Sequence, residues 1–431
     1  MEGERGGTGA GARAAPPGTD AAHGPLKGVV VVDLTLAYAG PFATLLLGGL
    51  GATVIKVENP VAGDMSRGNP PFIGEHGVTM DRAAEGDMSL AFINRARNKK
   101  AITLNLKKPE ARAIFHKLIA RADLFVENFA PGVVENLGVD YPTLKALNPR
   151  LIYCSIKGYG AGAPPETGRA MDIMIQARSG LMAATGRPQD PPMRSGIPIG
   201  DLLSPLTAVI GVVSALYHRE KSGVGQHIDI SMLDVLTALI AGEHFDALTS
   251  AGLEIRTGNS LARMSPFGAY GCSDGGWVAL AAPTDAMASR LFTAMGKEAL
   301  LADARFATRN QRTIHSALVD AEIQEWAGRQ TTAAMLASME RHDVPACQVQ
   351  RPQDAIHDPL VVARDAVVPL SHPRFGRTAE MMGTGMPIRF SDTPCALDQP
   401  APFLGEHNGD IYGWLGYDAA ELERLRAAGA I

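Results

Sequence analysis

The sequence predicts an α/β protein: a large domain built on a parallel sheet, with a smaller α/β domain inserted into it. Three observations predict this. The run KGVVVVDL is dense in β-branched residues, AGPFATLLLGG follows with Pro41 placed for a first helical turn, and TVIKVE (Thr53–Glu58) makes a second strand. A strand–helix–strand unit builds parallel sheets, because the helix returns the chain to the same edge. The alternation then continues to QHIDISM, and beyond about Ser250 it gives way to a hairpin and short helices.

Each element has its own signal. KAITLNL, DLFVENF and RLIYCSIKGYG read as strands, and PTLKALN as a short helix. PEARAIFHKLIARA reads as an amphipathic helix, with Ala111, Ile114, Phe115, Leu118 and Ile119 on one stripe that packs into a core. Leu206–Glu220 reads as a helix ended by Ser222-Gly223, and GCSDGGWVALAA as a hairpin with a glycine-rich turn. VPACQVQ, GRTAEMMGTGMPIRF and ELERLRAAG then return to strands and a helix. Residues 1–24 are rich in Gly and Ala and poor in bulky apolar groups, which reads as a disordered leader. The expected divisions are a large Rossmann-like domain at 25–245, a small domain at 246–350, and a segment at 351–431 that returns to the large domain.

Composition excludes several classes. The chain has 431 residues, 46% apolar and 20% charged, with a formal net charge of −5, which argues against nucleic-acid binding through a basic surface. No uninterrupted apolar run reaches the length of a bilayer span, so no membrane association is expected. Cys154, Cys272, Cys347 and Cys395 lie far apart without a CxxC pair, and 17 methionines suit a reducing cytoplasm. A dinucleotide fingerprint needs its glycines between the first strand and the helix, where this chain has TLAYAGP; GGLG falls after the helix, as a C-terminal cap would.

The most informative residue is a lone acid. In GIPIGDLLSPLTAVIG, Asp201 is the single charge among apolar neighbours, and a carboxylate there loses hydration. It reads as a helix cap, a buried structural ion or a reactive group. Ser204-Pro205 is itself a helix start signal, which puts Asp201 three residues upstream, on a Gly200-loosened turn aimed at the helix end. Amides at such an end can also stabilise negative charge developing in a reaction. No GxSxG elbow and no GxxxxGK[ST] loop is present. Attack of a carboxylate on a thioester keeps the acyl group activated, and that chemistry remains open beside a two-carboxylate glycosidase.

Seven stretches in order resemble family III CoA-transferases, the formyl-CoA transferase and carnitine CoA-transferase group. They are VVDLTLAYAGPFATLLLGGLGATVIKVENPVAGDMSR, NKKAITLNLKKPEAR, ADLFVENFAPGVVENLGVDY, NPRLIYCSIKGYG, MDIMIQARSGLM, IGDLLSPLTAVIGVVSALYHREKSGVGQHIDISMLD and APFLGEHN. The resemblance implies that Asp201 is the nucleophile. It implies CoA contacts at Tyr38 and Ala39, at Leu104, Asn105 and Lys107, at Asn128, Phe129 and Ala130, and at Arg169 and Asp172 beside the reactive centre. Tyr38 stands where formyl-CoA transferases have Gln, and Asn59 and Asn136 stand where they have arginines. Arg67, Lys107 and the four cations of NRARNKK (Asn94–Lys100) are candidates for the CoA phosphates, against the alternative of a solvated basic turn.

The resemblance further implies acyl-CoA and a carboxylic acid as substrates, no metal or tightly bound cofactor, an interlocked homodimer and a cytoplasmic location. The expected reaction moves CoA from a succinyl-CoA-like donor to a small dicarboxylate through aspartyl anhydride and aspartyl-CoA intermediates. The racemase branch has a histidine where this chain has Met171, and methionine moves no proton. A racemase, an intramolecular CoA transferase and a CoA-binding regulatory protein are the competing readings. The family's glycine run is missing from RTGNSLARMSPFGAYG, where Arg256, Asn259, Arg263 and Met264 are candidates to line the acceptor pocket.

Overall fold

Val30–Leu34 (β1) is buried along its whole length, as its run of three valines requires, and forms the centre of a six-stranded sheet. The others are Thr53–Glu58 (β2), Lys99–Thr103 (β3), Leu124–Glu127 (β4), Ile152–Lys157 (β5) and His227–Ser231 (β6). The order is β3-β2-β1-β4-β5-β6 and every pairing is parallel. This is the strand order of doubly wound sheets, whose ligand crevice opens at the carboxyl ends of the two strands where the order reverses, here β1 and β4. The computed structural model describes residues 15–17, 23–75, 77–164, 167, 169–374 and 376–431, so nearly all of the expected leader lies outside the described residues.

The chain divides into two compact units, one of Met1–Asp172, Ile199–Val235 and Asp358–Ile431, the other of Ile173–Pro198 and Leu236–His357. In the larger unit Ala39–Gly49 (α1) follows β1, and Leu90–Ala96 (α2), a helix the sequence did not announce, precedes β3. Pro109–Ile119 (α3) buries the five stripe residues expected from its periodicity. That stripe packs with Tyr412, Leu422 and Leu425 from the C-terminal helices in one apolar cluster over the sheet. The smaller unit holds an antiparallel sheet of Phe267–Gly271, Trp277–Ala281 and Ala346–Gln348, with its own core around Leu291, Phe292 and Ile323.

One helix departs from expectation. Ile199–Ser222 (α3 being followed in this numbering by Asp172–Arg178, α4, it is α5) begins seven residues before the expected Leu206, with Pro205 inside it. The Ser204 hydroxyl donates to the Gly200 carbonyl at 2.8 Å and caps nothing. As the seventh residue of the helix, Pro205 supplies no amide to the Asp201 carbonyl, so the helix forgoes one bond there. Asp201 is therefore the third residue of the helix rather than a residue upstream of it. By length and mean hydropathy alone α5 would be long and apolar enough to cross a membrane, as core helices can be. It packs against α1, β5 and β6, as a core helix of this unit does.

Across the carboxyl halves of β1 and β2 and the amino end of β3 lies a buried lattice of charges. Lys99 Nζ contacts Asp33 Oδ2 at 3.0 Å and donates to the Pro41 carbonyl and the Thr44 hydroxyl. Lys56 Nζ contacts Asp64 Oδ2 at 2.8 Å and donates to the Thr35 carbonyl. Glu58 takes both ends of the Arg67 guanidinium, at 2.8 and 2.7 Å, and the Asp64 amide. Three acids meet three bases, so the lattice is neutral although five of the six are almost fully buried. Burial works to raise the pKa of Asp33, but Lys99, Lys56 and the Thr35 and Thr44 hydroxyls outweigh it and hold the carboxyl at about 2.

Cutting one member strands its partner's charge in the interior. Lys99→Met is expected to destabilise the protein by about 3–5 kcal/mol in urea denaturation, whereas Lys107→Met, on an exposed side chain, should stay within about 0.5 kcal/mol. The folded-state pKa of Asp33 lies below its unfolded value of 3.8, so its contribution is complete above that value and is lost as the pH falls toward 2.

Candidate active site

The turn after β1 is held from three sides. Asn128, just past β4, accepts from the Leu36 amide at 2.8 Å and donates to the Leu36 carbonyl at 2.9 Å, a two-way bond across the point where strand order reverses. Asp64 Oδ1 accepts from the Ala37 amide at 3.2 Å. Ala37 lies in the left-handed region at φ 67°, a conformation that costs an alanine about 1 kcal/mol. Gly40 crosses Thr35 so closely that a Cβ there would sit 2.4 Å from the threonine Cβ. The result presents Tyr38 at the head of α1, with Ala39 buried behind it.

Over the Tyr38 ring lies Arg95 from α2, its Cζ 4.2 Å from the ring centroid. Arg95 is 9% exposed as a residue, has no carboxylate within 4.0 Å among the described residues, and leaves Nε buried without a partner. Burial pulls its pKa down, and Tyr38, Asp64 and Asp201 oppose that pull.

Asp201 projects from the first turn of α5, two-thirds or more out of solvent. The cap is a different acid: Asp172 Oδ1 accepts from the Gly200 amide at 2.8 Å and the Asp201 amide at 3.3 Å. Those two amides are therefore occupied, and the helix end does not offer them to a developing oxyanion as the sequence suggested. Burial and the neighbouring Asp172 push the Asp201 carboxyl up to about 6, with Arg95 opposing them. At neutral pH it is ionised but poorly solvated, the state of an activated nucleophile.

The remaining expected residues fall into groups. Leu104 is buried and its amide donates to the Glu58 carbonyl, while Asn105 bonds Gly429 and Ala430 near the C-terminus, and Lys107 is exposed. The Phe129 amide donates to Glu127 and its carbonyl accepts from Lys157; Ala130 and Asn136 are exposed on the following segment. Asn59 is exposed and closes its own turn by accepting from the Val61 and Ala62 amides. Arg169 and Met171 are exposed. Arg67 is spent on Glu58 and stacks on Phe92, its Cζ 3.7 Å from the ring centroid.

The NRARNKK stretch is not a solvated turn. Arg97 is buried against Asn94, Thr384 and Leu397, and Lys99 against Asp33. Arg256 donates to the Asp190 and Pro191 carbonyls and Arg263 pairs with Glu243, all within the smaller unit, where Asn259 is exposed and Met264 half-buried. The sequence reading grouped Arg95 with the phosphate cations and missed its place at Asp201. The available signal was its spacing from Phe92 and beside Ala96 on a buried face of α2.

Residues 26–408 match the profile of CoA-transferase family III. The chain belongs to that family. The transferase is 35% identical over 408 residues to a succinate–glutarate CoA-transferase of Agrobacterium fabrum, covering 93% of this chain and 96% of that one. It is equally 35% identical, over 406 residues, to a succinyl-CoA–D-citramalate CoA-transferase of Chloroflexus aurantiacus, with 94% and 97% covered. A crystal structure of a CAIB/BAIF family protein from Brucella suis superposes with a TM-score of 0.78 at 34% identity, over 91% of this chain and 100% of that one.

The transferase carries Asp201 at a cost to its fold. The folded-state pKa of about 6 lies above the ordinary 3.8, so the folded protein binds the extra proton between those values and loses stability as the pH rises through them. Asp201→Asn should therefore raise stability at pH 7 by about 1–3 kcal/mol and leave it nearly unchanged at pH 4. Melting curves at the two pH values measure the difference.

Proposed function

We propose that this enzyme transfers CoA from a succinyl-CoA-like donor to a small dicarboxylic acid, with Asp201 as the covalent carrier. The observation that carries the reading is the Asp201 carboxylate itself: half-buried, raised in pKa, and freed from capping its own helix because Asp172 takes the amides. The substrate class is supported by the relatives above, one named for succinate and glutarate and the other for succinyl-CoA and D-citramalate.

In this mechanism an Asp201 oxygen attacks the donor's thioester carbonyl, a C–O bond forms, and CoA leaves as thiolate. The thiolate attacks the Asp201 carbonyl of the mixed anhydride, forming a C–S bond and releasing the donor acid with the electron pair of the broken C–O bond. The acceptor carboxylate then attacks the aspartyl thioester, and the returning thiolate takes the acceptor's acyl group and restores Asp201. One negative charge moves through the site and no proton need transfer. In this reading Tyr38 and Ala39 border the thioester end of CoA, Asp172 and Arg169 lie beside the reactive centre, and Leu104, Asn105, Lys107, Asn128, Phe129, Ala130, Asn136, Asn59 and Arg67 border the rest. Met171 beside Asp172 offers no second base, which disfavours epimerisation.

The interlocked homodimer implied by the family is part of this reading. It is supported by an uncovered apolar stripe on α5, where Leu206, Ile210, Val213 and Tyr217 follow one another at helical spacing and Ile210 and Tyr217 are 67% and 66% exposed. Four cysteines without a disulfide agree with the cytoplasm.

Asp201→Ala should lower transfer from succinyl-CoA to glutarate by roughly three orders of magnitude or more, and hydroxylamine added to enzyme loaded with succinyl-CoA should leave a hydroxamate on Asp201 in peptide mass spectra. Full activity in the alanine variant would end the mechanism. Ile210→Asp with Tyr217→Asp should convert a dimer to a monomer in light scattering after gel filtration; an unchanged mass would place the interface elsewhere.

A further inference from the structure

We infer that Arg95 is the cation that receives the carboxylate of the incoming free acid once Asp201 has become its CoA thioester. The inference rests on the covalent role proposed for Asp201 and adds to it a residue and an order of binding.

Charge decides the matter. In the resting site Asp64 and Asp201 act on the buried Arg95 guanidinium, Asp64 being already paired with Lys56, and Asp172 acts on Asp201 as a like charge, so a further carboxylate would enter beside two acids that one guanidinium has to balance. Forming the thioester neutralises Asp201. Arg95 then remains as a buried cation without its nearest mobile counter-charge, and its unpartnered Nε is a donor waiting for an acceptor. Asp64 cannot fill that place, because Lys56, Ser66 and the Ala37 amide already hold it. The other cations of the same stretch cannot substitute either, since Arg97 and Lys99 are bonded inside the fold. The Tyr38 ring packs against the guanidinium, with Cζ 4.2 Å from the ring centroid, and holds it at the head of α1.

The chemistry balances without a further reactant. The acceptor carboxylate, held at Arg95, forms a C–O bond to the Asp201 carbonyl as the C–S bond breaks, and the departing thiolate takes over the negative charge beside the same cation. In the next step the thiolate forms a C–S bond to the acceptor's acyl carbon, and the electron pair of the broken C–O bond returns to Asp201. A free acid binds the thioester form and not the resting enzyme.

A neutral nucleophile separates this role from a structural one. Wild-type protein, Arg95→Gln and Arg95→Lys are loaded with succinyl-CoA, and loss of the Asp201 adduct is followed by intact mass after adding either glutarate or hydroxylamine. The expected result is that Arg95→Gln, given time to load from succinyl-CoA, loses rate with glutarate at least thirtyfold more than with hydroxylamine, while the KM for glutarate rises; loading itself slows with it, because its last step expels a carboxylate past the same guanidinium. Arg95→Lys, which keeps the charge, should remain within tenfold of wild type. Equal slowing with both nucleophiles, or no slowing with glutarate in either variant, overturns the inference. Absence of any Asp201 adduct in the wild-type protein overturns the Asp201 reading itself, a separate outcome.

Discussion

The structure depends on charges that cannot reach water. Asp33, Lys99, Lys56, Asp64 and Glu58 are buried on and beside three adjacent strands, and each needs its neighbour because an isolated buried charge is prohibitive. The pairing has a geometric consequence. Lys56 is fastened to the Thr35 carbonyl and Lys99 to the Pro41 carbonyl, so the turn between β1 and α1 is tied at both ends to the sheet beneath it. Asp64, fixed by Lys56, then holds Ala37 in its left-handed conformation. The lattice thus sets the position of Tyr38, and through Tyr38 that of Arg95. A hydrophobic core could have supported the strands equally well, but it would not have fixed the turn in a single conformation.

The same economy of charge governs the reactive centre. A carboxylate at the start of a helix ordinarily relaxes by bonding the free amides there, which would lower its pKa and quiet it. Asp172 removes that option by occupying the Gly200 and Asp201 amides. Asp201 is left with burial and a like charge on one side and a guanidinium on the other, so it is ionised at neutral pH without being well solvated. Strain of this kind is unfavourable for folding and useful for attack on a carbonyl. It also makes the cation the principal stabiliser of whatever anion replaces the aspartate.

Much of this was legible in the chain. Unbroken β-branched runs with intervening helical stripes define buried parallel strands, and the structure places Thr53–Glu58, Ala39–Gly49 and the stripe of Pro109–Ile119 where local pattern put them. The start of α5 was misplaced because Ser204-Pro205 imitates a start signal, and only long-range contact shows that Asp172 supplies the cap. The pairings of the basic stretch were hidden for the same reason: Lys99 and Arg97 find their partners in Asp33 and Leu397, remote in sequence.

The sequence by itself determined the strands, most helices, the family and the singular position of Asp201, because these rest on local periodicity and on order along the chain. Only the tertiary structure decided which charges pair. Asp33 with Lys99, Asn128 with Leu36 and Arg95 with Tyr38 meet across dozens of residues, and electrostatic energy depends on distance and on the water excluded between groups, neither of which is written in spacing.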